Sequence, residues 1–220
     1  MLNEYLEKVE FDTSNPEARC ACVLVLDVSG SMHGEPLKQL NNGVQAFEQA
    51  LKEDGLAAMR VEIAVVTFGN GVNVEKDFVS AGHFEAPQLS ASGLTPMGEA
   101  MNLSLDMIRQ RKDTYKQNGV AYYRPWIFLI TDGVPTDEWQ SAAQRVQQAE
   151  ARKSVAFFCV GVQNADMSTL SKITSRHPVK LKGLHFREMF VWLSQSLTSV
   201  SHSQVGEQVP LTSPAGWAEV

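Results

Sequence analysis

The sequence predicts an α/β protein with a doubly wound, mostly parallel central sheet, helices on both faces and one antiparallel edge strand. The first observation behind this prediction is a set of short, continuously apolar runs, which are typical of strands buried on both faces. The second is that the segments between them carry apolar residues every three or four positions, as helices that pack on a sheet do. Of the 220 residues, 44% are hydrophobic and 20% charged, which suits one globular domain with a substantial core.

The elements follow in chain order. Strands are predicted at residues 21–27, 61–68, 72–78, 126–131, 154–161 and 179–181. Turn residues at 70–73 predict a hairpin, so residues 72–78 form the expected antiparallel edge strand. Helices are predicted from the apolar spacing at residues 37–51, 97–111, 139–149, 167–173 and 186–197. Glu35-Pro36 is a favourable start for the first helix, and Asp54-Gly55 is expected to end it.

The chain divides into three predicted segments: an N-terminal arm at 1–17, the α/β domain at 18–200 and a polar C-terminal tail at 201–220 that could fold back through Trp217. The acidic N-terminus is no signal peptide, and no apolar stretch approaches the ~18 residues of a membrane helix. We therefore expect a cytoplasmic protein that does not bind membranes. The net charge of −6 and the absence of a Lys/Arg run argue against a nucleic-acid partner.

The three cysteines are too few and wrongly spaced for a zinc site. Cys20 and Cys22 alternate along the first strand, and Cys159 lies in a later apolar run. We expect buried free thiols, which fit a reducing compartment.

The most informative motif is Asp-Val-Ser-Gly-Ser at residues 27–31, directly after the apolar run at 23–26. Asp27, Ser29 and Ser31 offer a carboxylate and two hydroxyls at alternate positions beyond a strand end. These hard oxygen ligands suit Mg²⁺ or Mn²⁺ and suit zinc or copper poorly. The same residues are also ordinary turn chemistry.

Two further loops carry oxygens at corresponding places. Thr95 stands in Ser-Gly-Leu-Thr-Pro just before the second predicted helix, and Asp132 stands in Ile-Thr-Asp-Gly just after a strand. In an open α/β sheet such loops gather outside the carboxyl ends of the strands, where ligands bind. The oxygens expected to converge there belong to Asp27, Ser29, Ser31, Thr95 and Asp132.

This order and spacing resembles the metal-ion-dependent adhesion site of von Willebrand factor A (vWA) domains, with no motif position substituted over about residues 18–200. The resemblance implies a Rossmann-like fold, a bound Mg²⁺ or Mn²⁺ and a non-catalytic module that captures an Asp or Glu carboxylate of a partner protein. The segments at 123–126, 131–139 and 190–197 resemble the bacterial TerY/YegL group, which is associated with tellurite-resistance gene clusters. That likeness implies stress response or phosphorylation-linked signalling, with a kinase or a metal-dependent protein phosphatase as a partner.

Alternatives remain at this stage. Asp27 and Asp132 could instead cap helices or satisfy loop amides. Asp137-Glu138 is expected to cap the third predicted helix. A Mg²⁺-dependent phosphotransfer enzyme would also place an acid after the first strand, but it needs a second acid where this chain has Ser29. The metal could also merely stabilise a structural subunit.

Overall fold

A computed structural model describes residues 11–214 and 216–219 of the chain. It contains a seven-stranded sheet in the order β3-β2-β1-β4-β5-β6-β7. The strands are β1 (Cys20–Asp27), β2 (Val61–Gly69), β3 (Gly71–Ser80), β4 (Trp126–Thr131), β5 (Ala156–Gly161), β6 (Val179–Leu181) and β7 (Ala218–Glu219). Strands β2, β1, β4, β5 and β6 are parallel to one another. The predicted fold class is confirmed.

Strand β1 lies at the centre of the sheet, paired with β2 on one side and β4 on the other. Every residue of β1 and β2 is buried. This explains their continuous apolar runs, since helices cover both faces of the sheet. The central position also places the end of β1, at Asp27, between the ends of its two neighbours.

The helices are α1 (Glu35–Lys52), α2 (Gly55–Arg60), α3 (Met97–Gln117), α4 (Gln140–Ala151), α5 (Met167–Ile173) and α6 (Phe186–Ser201). One core cluster packs α1 and α6 on one face of the sheet, and a second packs α3, α4 and α5 on the other. Helix α2 was not predicted. Asp54 does end α1, but its carboxylate also accepts a hydrogen bond from Ala57 N at 2.8 Å and so begins a new helix at once.

Both edges of the sheet are antiparallel. The predicted hairpin forms, and β3 runs against β2. At the other edge the two-residue strand β7 runs against β6, which the sequence did not predict because two residues carry no periodicity. Trp217, just before β7, is 3% exposed. Residues 1–10 of the predicted arm lie outside the described residues, and the three segment boundaries stay a prediction.

The three cysteines are free and buried, as predicted. Burial, aided by the charge of Glu62, raises the pKa of the Cys20 thiol to about 12. Burial also raises the pKa of Cys22 and Cys159. These thiols therefore act as apolar core side chains. Within the described ranges, no helix is both long and apolar enough to cross a membrane.

Candidate metal centre

The loops that follow β1 and β2 and the loop that precedes α3 are joined by backbone hydrogen bonds. Ser92 N donates to Val28 O at 2.8 Å, and Gly30 N donates to Gly93 O at 3.1 Å. Gly93 has a φ of +81°, and a Cβ there would lie 2.6 Å from the backbone of Gly69. Only glycine permits both this conformation and this approach. The chain therefore holds these loops together independently of any bound ion.

Asp27 ends β1 and is completely buried. Its Oδ1 accepts a hydrogen bond from Ser29 N at 2.8 Å, and its Oδ2 accepts one from Thr131 Oγ1 at 2.5 Å. Burial raises the pKa of Asp27, these hydrogen bonds partly offset that rise, and the charge of Asp132 adds to it. A carboxylate in this position favours a nearby cation.

A chain of hydrogen bonds connects the two serines to the loop after β4. Ser31 Oγ donates to Asp132 Oδ1 at 2.8 Å, and the hydroxyls of Ser29 and Ser31 lie 3.0 Å apart. Ser29 is buried, whereas Ser31 is exposed and Asp132 half-buried. The chain thus runs from the protein interior toward solvent.

Thr95 and Asp27 lie on either side of a small space next to Gly133, beside this chain of hydrogen bonds. A Cβ at Gly133 would stand 3.1 Å from Thr95 Oγ1 and 3.5 Å from Asp27 Oδ2. Both oxygens therefore border one small gap, which a larger residue would fill. The loop after β4 also holds the threonine backbone: Thr136 Oγ1 accepts a hydrogen bond from Thr95 N at 3.0 Å, and Thr136 N donates to Thr95 O at 2.9 Å.

The five predicted side chains are therefore neighbours, and their chemistry fits a hard divalent cation. Adjacent oxygen ligands of an octahedral Mg²⁺ with bonds of about 2.0–2.1 Å stand roughly 2.9 Å apart. The two serine hydroxyls, 3.0 Å apart, are close enough for adjacent positions of such a site. Over the described ranges, neither Asp27 nor Asp132 forms a salt bridge. Among the described residues, no group of three His, Cys, Asp or Glu could hold a metal. A metal bound here would therefore need hydroxyl ligands as well.

Asp137 has a different role from the predicted one. Its carboxylate accepts hydrogen bonds from Gly98 N at 3.0 Å and Glu99 N at 2.8 Å, so it caps α3 and not α4. The reason is spatial: the loop after β4 crosses the start of α3, whose own N-cap residue is Pro96 and supplies no side-chain bond. Glu138 does cap the start of α4, by accepting from Ser141 N at 3.0 Å.

Sequence reasoning also missed Thr131 and Thr136, which hold Asp27 and Thr95. Thr131 ends β4 directly before Asp132, and Thr136 lies in the loop that follows. Their closeness to Asp132 in the sequence was the available signal. It missed two exposed apolar side chains near predicted ligands in the sequence as well. Leu94 is 68% exposed and Val134 is 59% exposed, and both flank predicted ligands in the sequence.

Comparison with protein families decides the class of this domain. The sequence profile of the von Willebrand factor type A domain matches residues 22–189, more than half of the chain. The chain belongs to the vWA family. No curated protein matches the sequence.

Solved structures share this vWA fold at low sequence identity. The SpaC pilus adhesin of Lactobacillus rhamnosus GG superposes with a TM-score of 0.66 at 15% identity, over 84% of this chain and 31% of that one. A von Willebrand factor type A protein from Catenulispora acidiphila superposes with a TM-score of 0.61 at 18% identity, over 83% of this chain and 43% of that one. Mussel byssus proximal thread matrix protein 1, with a zinc-occupied metal-ion-dependent adhesion site, superposes with a TM-score of 0.53 at 14% identity. The match covers 83% of this chain and 48% of that one. The vWA chain thus spans less than half of each of these proteins.

Proposed function

We propose that this vWA domain is a non-catalytic module that binds an Asp or Glu carboxylate of a partner protein through Mg²⁺ or Mn²⁺. The observation that carries the proposal is that Ser29, Ser31 and Asp132 form one hydrogen-bonded chain. Oxygens of Asp27, which accepts from Ser29 N, and of Thr95 border the neighbouring gap at Gly133. The hydroxyls of Ser29, Ser31 and Thr95 would hold the ion, while Asp27 and Asp132 would balance its charge. A bound divalent ion supplies positive charge for an incoming carboxylate.

The rim of the centre supports a protein as the ligand. Leu94 precedes Thr95, and Val134 follows Asp132 by two positions. They are two of the four large hydrophobic side chains that are exposed over the described residues. Exposed apolar side chains around a polar centre are typical of interaction surfaces, because their burial stabilises a complex while the polar group gives specificity.

We further propose a bacterial, cytoplasmic setting in stress response or phosphorylation-linked signalling, such as tellurite resistance. The partner would be a protein kinase or a metal-dependent protein phosphatase. The support is the resemblance of residues 123–126, 131–139 and 190–197 to the TerY/YegL group.

The first prediction concerns metal uptake. Asp132→Asn and Thr95→Ala should each weaken Mn²⁺ and Mg²⁺ binding by about tenfold or more, because each removes an oxygen or a charge from the centre. Isothermal titration calorimetry measures this. Asp113→Asn is the matched control, since Asp113 is exposed on α3 and pairs with Lys116, far from the proposed ligands in sequence. Equal affinities in all four proteins would contradict the proposed ligands.

Partner capture separates the proposal from its alternatives. Capture from the native host should require Mg²⁺, disappear with chelator and disappear with Asp27→Ala. Capture that ignores chelation, together with a lower melting temperature in chelator, would indicate a purely stabilising metal. Phosphate release from a generic substrate that is lost in Asp27→Asn would indicate a phosphotransfer enzyme.

The second prediction concerns the rim. Leu94→Ser and Val134→Ser should each weaken binding of the captured partner by about tenfold, as loss of a buried interface anchor does. The affinity for the metal should stay unchanged, because neither side chain has an atom that could bind it. Met59→Ser is the control: Met59 is 45% exposed on α2, at the opposite end of the sheet. Unchanged partner affinity in both rim variants would exclude this surface from the interface.

A further inference from the structure

A second concave site lies away from the metal centre, between the sheet, α6 and the C-terminal segment. The cavity has a volume of about 300 Å³, at the lower end of the range for small-molecule sites. Its apolar lining includes Phe128, Phe158, Val179, Trp192 and Trp217. None of the five proposed metal ligands lines it, so it is a separate site.

Four aromatic rings make one connected wall. The ring centroids of Trp192 and Trp217 are 5.3 Å apart, and Phe128 lies 5.8 Å from Phe158 and 6.4 Å from Trp192. The wall is held in place because Trp192 Nε1 donates to Thr212 O at 2.9 Å. Rings arranged in this way offer flat apolar faces against which another aromatic ring packs well.

A guanidinium group is fixed at the exposed side of the cavity. Arg176 lines the cavity, its side chain is 41% exposed, and its Cζ lies 4.9 Å above the ring of Phe158. Its Nε donates to Glu150 at 3.2 Å. Burial and then the charge of Arg176 lower the pKa of Arg124, so two positive charges share this neighbourhood with one carboxylate. A planar, preorganised guanidinium is well suited to bind a carboxylate.

One polar atom of the wall also lacks a partner. Trp217 is 3% exposed, and its Nε1 forms no hydrogen bond within the described part of the chain. Buried donors are nearly always satisfied, and an unsatisfied one calls for an unseen acceptor. The neighbouring Trp192, by contrast, has its acceptor. The indole ring of Trp217 still lines the cavity and supplies an apolar face there.

We propose that this cavity binds a small, flat aromatic carboxylate. The ring of the ligand packs on the aromatic wall, and its carboxylate pairs with Arg176. Because Thr212, Trp217 and β7 belong to the C-terminal segment, the ligand also joins that segment to α6 and the sheet. This site is independent of the proposed metal centre.

The test uses the full chain and 2-naphthoate as the probe, with 2-naphthamide as its uncharged match. Calorimetry should show saturable binding of one 2-naphthoate per chain, and 2-naphthamide should bind at least ~10-fold more weakly. Arg176→Gln should weaken the binding of 2-naphthoate by a similar factor. Arg152→Gln, an exposed arginine on the opposite face of the sheet, is the matched control and should bind as the parent does.

Val179→Phe provides a second variant that leaves Arg176 intact. It adds a ring to the cavity wall and should abolish 2-naphthoate binding while Mn²⁺ binding persists. The comparison of the two probes on the unmodified chain does not depend on the folding of any variant. No saturable binding of 2-naphthoate up to ~10 mM would overturn the proposal. Equal affinity for 2-naphthoate and 2-naphthamide would overturn it as well. So would a 2-naphthoate affinity in Arg176→Gln or Val179→Phe that equals that of the parent.

Discussion

At the residue scale, the proposed centre depends on an absent side chain as much as on the ligands. Gly133 lets Thr95 Oγ1 and Asp27 Oδ2 border the same gap, at 3.1 and 3.5 Å from the position of a Cβ. Thr131 Oγ1 donates to Asp27 Oδ2 and so fixes that oxygen, whereas Thr136 fixes only the backbone of Thr95. Asp27 Oδ2 cannot retreat without losing a buried hydrogen bond, but the Thr95 side chain can turn aside.

Gly133→Ala should therefore weaken Mn²⁺ binding by about tenfold, because the methyl group intrudes between two proposed ligands. The melting temperature of the metal-free protein should change little. Calorimetry and thermal unfolding measure the two effects. Gly55→Ala is the control, since a Cβ there meets no atom within 4 Å. An unaltered Mn²⁺ affinity in Gly133→Ala would show that the ion does not use this gap.

The proposed ligand residues could be found from sequence because each stands beside a strand or helix end with a recognisable local pattern. Asp27 follows an apolar run, and Asp132 follows another. The residues that hold them could not be found in the same way. Thr131 is a strand residue whose partner, Asp27, is 104 positions away, and only the pairing of β1 with β4 on one sheet makes them neighbours.

At the element scale, α3 takes its cap from another part of the chain. Asp137 accepts hydrogen bonds from Gly98 N and Glu99 N, 39 and 38 positions away in sequence. The same loop carries Asp132 and Thr136, and Thr95 stands two residues before the helix. The cap therefore couples the start of α3 to the loop after β4. Metal affinity and helix stability should respond together when it is removed.

Asp137→Ala should destabilise the domain by about 1 kcal/mol, as loss of an N-cap does, and should also weaken Mn²⁺ binding. Asp166→Ala is the matched control. Asp166 caps α5 by accepting from Ser168 N at 3.0 Å and Thr169 N at 3.2 Å, and it touches no proposed ligand. Asp166→Ala should lose stability but keep the Mn²⁺ affinity of the parent. Chemical denaturation and calorimetry separate the two, and a Mn²⁺ affinity that falls equally in both variants would refute the coupling.

Elements were predictable where their residues repeat over several turns or form an unbroken apolar run. Helix α2 and strand β7 were not predicted, because their six and two residues are too few to show a hydrophobic period. The end of a helix was likewise easier to predict than its cap. Asp137 has the right residue type for a local cap, and only the packing of the loop against α3 assigned it elsewhere.

At the scale of the whole molecule, Glu150 connects three parts of the fold. This α4 residue is 6% exposed. Its carboxylate accepts from Phe157 N on β5 at 3.3 Å, and from Thr174 Oγ1 and Ser175 N after α5 at 2.8 Å each. Burial raises its pKa, but these hydrogen bonds more than offset that effect, so the pKa lies below the ordinary 4.5.

A lowered pKa means that the folded state favours the ionised form. The resulting stability is fully present above about pH 4.5 and disappears as the pH falls through the lower folded-state value. Glu150→Gln should therefore cost about 1–3 kcal/mol at pH 7, and the difference from the parent should shrink near pH ~3.5. Denaturant unfolding at the two pH values measures this. Glu53→Gln, at an exposed position, should be neutral at both, and a Glu150→Gln cost that does not vary with pH would contradict the linkage.

The sequence by itself determined the sheet class, its predicted edge hairpin and the loops that bear the proposed oxygen ligands. It could do so because apolar runs and oxygen-bearing turns are read from residues close together in the chain, and parallel strands bring their carboxyl ends to one edge. The tertiary structure alone decided the gap at Gly133, the cap of α3 and the aromatic cavity beneath the C-terminal segment. Each of these depends on groups that are distant in sequence, and their contact is set by how sheet, helices and loops pack.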